Sequence, residues 1–257
     1  MLVEDRRKRI LEIVEEEGSV AVDELAQRFD VSEMTIRRDL RLLQNNGFLK
    51  RVHGGATSNR GRSYEPPFLL RAREHNSAKI GIGRRAADLV TDGDSIALDV
   101  GTTTLEIARN LKERQNLTVI TPSLHIANIL ADQSGIRLIL PGGIVRPGEL
   151  SMVGRLTEDA LDRFHVDKLF LGVGGIDLEA GLTEFNVEDS QVKQALIRRA
   201  KECIVVTDSS KFGNVAFAAV APISVVNVIV TDNDLDPDVQ ASLEASEIEV
   251  LLADASE

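Results

Sequence analysis

The sequence predicts an α/β chain in two parts: a small helical N-terminal domain, then a larger C-terminal α/β domain with a mostly parallel sheet. Three observations predict this. The pattern is helical up to about residue 57, whereas from about residue 95 short β-branched runs alternate with helical stretches. Those runs are apolar throughout, as expected of strands buried on both faces. Between the two regimes lies SNRGRSYEPPF (58–68), polar and carrying Gly61 and Pro66-Pro67, which reads as a linker. The expected division is residues 1–57, a linker over 58–75, and a second domain over 76–257. A chain of 257 residues is long enough to bury a sizeable core.

Three short helices open the chain. The first spans 5–17, with Ile10, Ile13 and Val14 on one side, and breaks at Gly18-Ser19. The second is VDELAQRF (22–29). After the turn Asp30-Val31-Ser32, Ser32 caps a third helix over 33–46. At 100° per residue, Ile36, Leu40 and Leu43 fall within about 60° of one another, and Arg37, Arg38 and Arg41 lie on the opposite side. One face packs inward. The other presents three guanidinium groups, with Thr35 at its N-terminal edge. Such a face suits phosphates or guanine edges in a DNA major groove. Asp39 braces an arginine or offsets its charge. After Gly47, FLKRVHGGA (48–56) reads as a β-hairpin wing with Lys50, Arg51 and His53 near its tip.

The net charge of −11 does not contradict a nucleic-acid reading. Residues 1–62 hold 12 Lys/Arg against 11 Asp/Glu, and residues 63–257 hold 18 against 30. The acid belongs to the second part. Residues 34–51 carry five basic side chains and one acidic. A local basic face is what phosphate binding requires.

A helix is expected over 69–91. The strands expected after it are SIALDV (95–100), LTVIT (117–121), IRLILP (136–141), KLFLGV (168–173), ECIVVTD (202–208), VVNVIVTD (225–232) and IEVLLA (248–253). In LDVGTTTLEIARNL (98–111), Gly101 permits a tight turn and places Thr102, Thr103 and Thr104 at a helix N-terminus. There backbone N–H groups, hydroxyls and the helix dipole favour an anion, best a phosphate. Asp99 sits beside this loop. Thr121, Gly142-Gly143, the run Gly172-Val173-Gly174-Gly175-Ile176-Asp177, and Asp208-Ser209-Ser210-Lys211 all fall at strand carboxyl ends, where open α/β sheets bind ligands. Lys211 supplies a positive charge for phosphate.

Other classes are excluded. No run of about 18 apolar residues supports a membrane span, and the charged N-terminus lacks a signal h-region. The one cysteine, Cys203, rules out a disulfide framework, and a reducing cytoplasmic setting is expected. The four histidines show no metal-ligand spacing, and neither a P-loop nor a G-x-S-x-G elbow is present. Gly81-Ile82-Gly83-Arg84-Arg85-Ala86 fits a loose dinucleotide pattern, but no strand precedes it, so helix packing is the expectation.

VAVDELAQRFDVSEMTIRRDLRLLQNNGFLKRVHGGA resembles the winged helix-turn-helix signature of the DeoR family of sugar-metabolism repressors. DVGTTT, LPGG, GVGGID and DSSKFG resemble that family's C-terminal sensor, which is similar in fold to ribose-5-phosphate isomerase and glucosamine-phosphate deaminase. The resemblance implies a cytoplasmic repressor of carbohydrate genes that binds operator DNA as a dimer or tetramer and takes a phosphorylated sugar or polyol as effector. It also implies that Lys79 and Glu188 lie around the effector pocket. No cofactor, metal or catalytic residue is expected. The rival is a sugar-phosphate isomerase with a DNA-binding appendage. Such isomerases work by proton transfer and carry two aspartates around a Gly-Ala pair, where this chain has Gly172-Val173-Gly174-Gly175.

Overall fold

The computed structural model describes residues 3–45, 48–58 and 61–255. The chain divides into two compact units, Met1–Leu70 and Arg71–Glu257.

In the first unit, helix α1 (Val3–Glu17) leads into strand β1 (Ser19–Ala21), then α2 (Val22–Phe29) and α3 (Glu33–Asn45). Asp30, in the left-handed region at φ 51°, ends α2 and makes the sharp turn into α3. The expected third helix reached residue 46; Asn46, and the break at Gly47, lie outside the described residues, as do Asn59 and Arg60 of the expected linker. Ile36, Leu40 and Leu43 recur at intervals of four and three, and all are buried against Ile10, Val14 and Leu25. Strands β2 (Lys50–Val52) and β3 (Gly55–Thr57) form the expected hairpin, with Lys50 opposite Thr57 and Val52 opposite Gly55. Strand β1 pairs with the other edge of β3.

The second unit is built on a parallel sheet. Its residues run α4 (Phe68–Arg71, starting in the first unit), α5 (Asn76–Ala87), β4 (Ser95–Leu98), α6 (Thr102–Asn110), β5 (Leu117–Ile120), α7 (Leu124–Leu130) and β6 (Ile136–Ile139). There follow β7 (Ile144–Arg146), β8 (Ser151–Val153), α8 (Arg155–Leu161), β9 (Val166–Leu171), β10 (Gly175–Asp177), β11 (Gly181–Glu184), α9 (Val187–Arg199) and β12 (Ala200–Val206). The chain ends with β13 (Ala218–Ala221), β14 (Val228–Asp232), α10 (Pro237–Ala245) and β15 (Glu249–Ala253). The seven expected strands all enter one seven-stranded sheet of order β15-β14-β12-β9-β4-β5-β6, with every pairing parallel.

Burial explains the continuous apolar runs. Ala97, Leu169, Leu171, Val205 and Ile229 join a core with Val192 and Leu196 of α9. Their alternating neighbours Leu98, Phe170, Ile204 and Val230 are equally buried, so both faces are covered.

One expectation is corrected. The helix expected over 69–91 is broken: α4 stops at Arg71, α5 starts at Asn76, and His75 between them takes a left-handed φ of 50°. The sequence reading also missed the β7–β8 hairpin and the antiparallel sheet β10-β11-β13. Their strands of three or four residues are too short to show a periodicity.

The chain passes from β4 to β5 and β6 on one side, then returns to β9 on the other. The order therefore reverses between β4 and β9. In open α/β sheets, that reversal leaves a crevice beyond the strand carboxyl ends.

Candidate functional site

The first candidate surface is α3 with its wing. Ser32 Oγ accepts the Thr35 N–H at 3.2 Å and lies 2.9 Å from Thr35 Oγ1, so both hydroxyls are engaged at the cap. Arg37, Arg38 and Arg41 are exposed. Asp39 points the other way: it is 1% exposed and accepts from Arg6 Nε at 2.8 Å and Arg7 Nε at 2.7 Å, both on α1. The arginines that Asp39 braces are therefore those of α1, and the charge of the α3 face is left intact. Arg37 is tied to Glu33 at 2.9 Å. Arg38 and Arg41 form no ion pair among the described residues. On the wing, Lys50 and His53 are exposed and Arg51 is half-buried. An open cleft of about 430 Å³ lies between the starts of α1 and α3, lined by Arg6, Arg7, Met34, Thr35 and Arg38 among others.

The second candidate lies where the sheet order reverses. Gly101 adopts φ 149°, ψ 167°, a conformation open in practice to glycine alone, and it turns the chain from β4 into α6. Thr102, Thr103 and Thr104 fill the first turn and are buried. The first bond of the helical ladder is from the Leu105 N–H to the Gly101 carbonyl, and the Thr102–Thr104 amides precede it. The Thr104 hydroxyl donates back to the Gly101 carbonyl at 3.1 Å.

Beside this turn sits a buried charge cluster. Asp99 Oδ2 accepts the Gly172 N–H at 3.1 Å and forms an ion pair with Lys193 Nζ of α9. Lys193 also donates to the Gly172 carbonyl at 3.0 Å and lies 3.2 Å from Glu184 Oε2 of β11. Burial lowers the Lys193 ammonium, but the Asp99, Glu184 and Asp189 carboxylates more than reverse this and hold it well above the ordinary lysine range. Burial pushes the Asp99 carboxyl up to about 6 against the pull of Lys193. Both groups are therefore charged at neutral pH. The contacts to Lys193 and to the Gly172 N–H are both made by Asp99 Oδ2.

Of the glycines beyond β9, Gly172 is held by Asp99, and a side chain at Gly174 would meet Glu184 Oε1 at 3.0 Å. A side chain at Gly175 would strike the Asn214 carbonyl oxygen at 2.2 Å. Lys79 is buried in α5, and its Nζ donates to the Arg71 and Glu74 carbonyls, the latter at 2.7 Å. Burial pushes it down to about 8; Asp208 raises it and Lys211 lowers it, so Lys79 and Lys211 share one electrostatic neighbourhood.

The remaining residues are used locally. Thr121 Oγ1 accepts the Ser123 N–H at 3.1 Å. The Gly142 carbonyl accepts from Thr157 Oγ1 at 2.7 Å, and Gly143 packs on the same threonine. Asp177 Oδ1 accepts the Glu179 and Ala180 N–H groups and closes the β10–β11 turn. Glu188 is exposed in the first turn of α9.

Sequence reasoning missed Lys193, Glu184 and the Arg146–Asp189 ion pair. A signal was present for two of them. Asp189 and Lys193 fall on the same helical stripe as Val192 and Leu196, where solvated charge is out of place.

Comparison with known proteins resolves the class. Residues 6–62 match the DeoR-like helix-turn-helix domain, and residues 74–233 match the DeoR C-terminal sensor domain. The HTH-type transcriptional regulator YulB of Bacillus subtilis is 38% identical over 97% of this chain and 96% of its own. The glycerol-3-phosphate regulon repressor of Escherichia coli is 34% identical over 88% of this chain and 90% of its own. A ribose 5-phosphate isomerase structure from Methanocaldococcus jannaschii matches 55% of each chain at 23% identity and a TM-score of 0.39. The relatives that match nearly end to end are named regulators and repressors, so the isomerase alternative falls. The chain belongs to the DeoR family of DNA-binding transcriptional regulators.

Proposed function

We propose that this regulator is a cytoplasmic repressor of carbohydrate-catabolism genes, released from its operator by a phosphorylated sugar or polyol. Residues 1–57 read DNA, 58–75 link, and 76–257 sense the effector and hold a homo-oligomer together. Ser32, Thr35, Arg37, Arg38, Arg41, Lys50, Arg51 and His53 meet the duplex. The observation that carries this reading is the inward turn of Asp39 onto Arg6 and Arg7, which leaves the arginine face of α3 outward and cationic. Symmetric pairing of two copies would set two recognition helices on two half-sites.

The effector phosphate is assigned to the α6 N-terminus, with Gly101 and Thr102–Thr104 as its cradle and Lys79 and Lys211 as its cations. Release requires the effector to prefer the DNA-incompetent state by about 1–3 kcal/mol or more. A relative's role in a glycerol-3-phosphate regulon favours a small phosphorylated polyol or sugar.

The test joins two measurements on the full chain: melting temperature against sugar phosphates, polyol phosphates and their dephosphorylated forms, and operator binding with and without the hit. A saturable rise for one phosphorylated compound that also releases DNA supports the proposal. A rise for the free sugar alone removes the phosphate assignment. A hit that tightens DNA binding reverses the sign of control.

A further inference from the structure

Within the first turn of α3, all side chains but one have a partner in the protein. Ser32 and Thr35 bond each other, and Glu33 bonds Arg37. The exception is Met34, at 74% the most exposed of the large apolar residues among those described. It contributes nothing to the core of its unit. A singly exposed apolar side chain is ordinary on a protein surface; what distinguishes Met34 is its place at the start of the cationic helix, beside Arg38.

Met34 stands in a defined setting. It lines the cleft between α1 and α3 together with Thr35, Arg38, Arg6 and Arg7. Arg38 is four residues on, so it lies about 40° round the helix and one turn along, on the same face as Met34. The surface is an apolar contact beside the exposed guanidinium of Arg38, while Arg6 and Arg7 across the cleft are paired with Asp39, which also lines it. A polyanion that carries an apolar group on its readable edge fits it. In the DNA major groove that group is the C5-methyl of thymine, the one apolar feature presented there. N-terminal residues of a recognition helix are those that reach base edges. A methionine thioether suits such a contact because it is unbranched and polarizable.

We propose that Met34 is a specificity-determining residue that packs on a thymine C5-methyl in each half-site, beside the contact made by Arg38. This rests on the DNA-binding reading above and adds to it the base and the atom recognised. Burying one methyl group is worth about a three- to fourfold change in affinity.

The test uses the full-length chain and a duplex obtained by binding selection from a random library. Each thymine of that duplex is replaced in turn by deoxyuridine, which deletes only the methyl group. The expected result is a loss of about three- to fourfold at one thymine per half-site. Met34→Ala then binds the thymine and uracil duplexes equally at that position, Met34→Leu keeps the preference, and the salt dependence is unchanged because no charge is altered. The substitution spares the core, so folding is retained. The proposal is overturned if the native chain is indifferent to deoxyuridine at every thymine, or if Met34→Ala keeps the native preference. A selection that enriches no duplex overturns the DNA-binding reading together with this one.

Discussion

Lys193 Nζ, from the middle of α9, forms an ion pair with Asp99 Oδ2 at the carboxyl end of β4, with both side chains almost wholly removed from solvent. The two residues are 94 positions apart. Through the Gly172 carbonyl and Glu184, the same ammonium holds the ends of β9 and β11. The crevice is thus fixed by one buried cation shared between two carboxylates. Replacing Lys193 by Met leaves Asp99 and Glu184 buried without their counter-charge. The expected loss is about 3–5 kcal/mol, read as a fall in the urea midpoint. The variant also enlarges a pH signature that the native chain already carries through its raised Asp99 carboxyl. Without Lys193, burial raises the Asp99 carboxyl above even its present value of about 6, whereas the unfolded chain titrates at the ordinary 3.8. Between those values the folded state binds the extra proton, so Lys193→Met gains stability as pH falls from 7 toward 5. A gain no larger than that of the native chain would contradict the pairing.

Arg38 and Asp39 are neighbours in sequence with opposite consequences. Arg38 is exposed, so Arg38→Ala should keep the native stability within about 0.5 kcal/mol. It should weaken operator binding and, if Arg38 meets a phosphate, reduce the salt slope by about one. If it reads guanine, the slope stays and one base position relaxes. Asp39→Ala strands the buried guanidinium of Arg6 and should cost about 3 kcal/mol or more of stability. Fluorescence anisotropy across a salt series, paired with thermal melts, separates the two. A destabilised Arg38→Ala would refute its placement on the outer face.

Much of this arrangement is legible from local patterns, and the rest is not for a definite reason. The apolar stripe of Ile36, Leu40 and Leu43, the cap at Ser32 and the seven apolar strand runs each lie within a few residues of chain. The glycine turn before Thr102 is equally local. The charge cluster is assembled by topology: Asp99, Glu184 and Lys193 come from β4, β11 and α9, and no short pattern links them. The break at His75, where Lys79 reaches back to the Arg71 and Glu74 carbonyls, has no glycine or proline to mark it in the sequence.

Lys79 gives a pH test of the effector site. Burial brings it down to about 8. Below that value it is charged and attracts a phosphate; above it the charge is lost. A bound phosphate dianion raises this value again, so binding takes up a proton between about pH 8 and 9. Effector affinity of the native chain should therefore fall as pH rises through 8. Lys79→Met should bind more weakly and show no such fall, and Lys211→Ala should weaken the response while keeping it. Titration calorimetry in two buffers of different ionisation enthalpy reads the proton uptake directly. A native affinity flat from pH 7 to 9 would remove Lys79 from the phosphate site.

Gly83 tests how tightly the scaffold holds the α6 N-terminus. The Gly81-Ile82-Gly83 run lies inside α5 and serves close packing. A Cβ at Gly83 would fall 2.4 Å from Glu106 Cβ and 2.8 Å from the Glu106 carbonyl carbon, so the backbones of α5 and α6 are in contact there. Alanine in place of an interior helical glycine gains about 1 kcal/mol in propensity. The overlap with α6 costs about 1–3 kcal/mol, because the Glu106 atoms belong to a helix that must move as a unit. Gly83→Ala should therefore be neutral at best and destabilised by up to about 2 kcal/mol. Because α6 begins with Thr102–Thr104, the same displacement should weaken the effector response. Gly61→Ala is the control: a Cβ there meets only Ser63 Oγ at 4.0 Å, and both readouts should stay native. A Gly83→Ala variant that gained the full helical propensity would show that α5 and α6 slide past one another without cost, and a site built on the start of α6 would then lack the rigidity assigned to it.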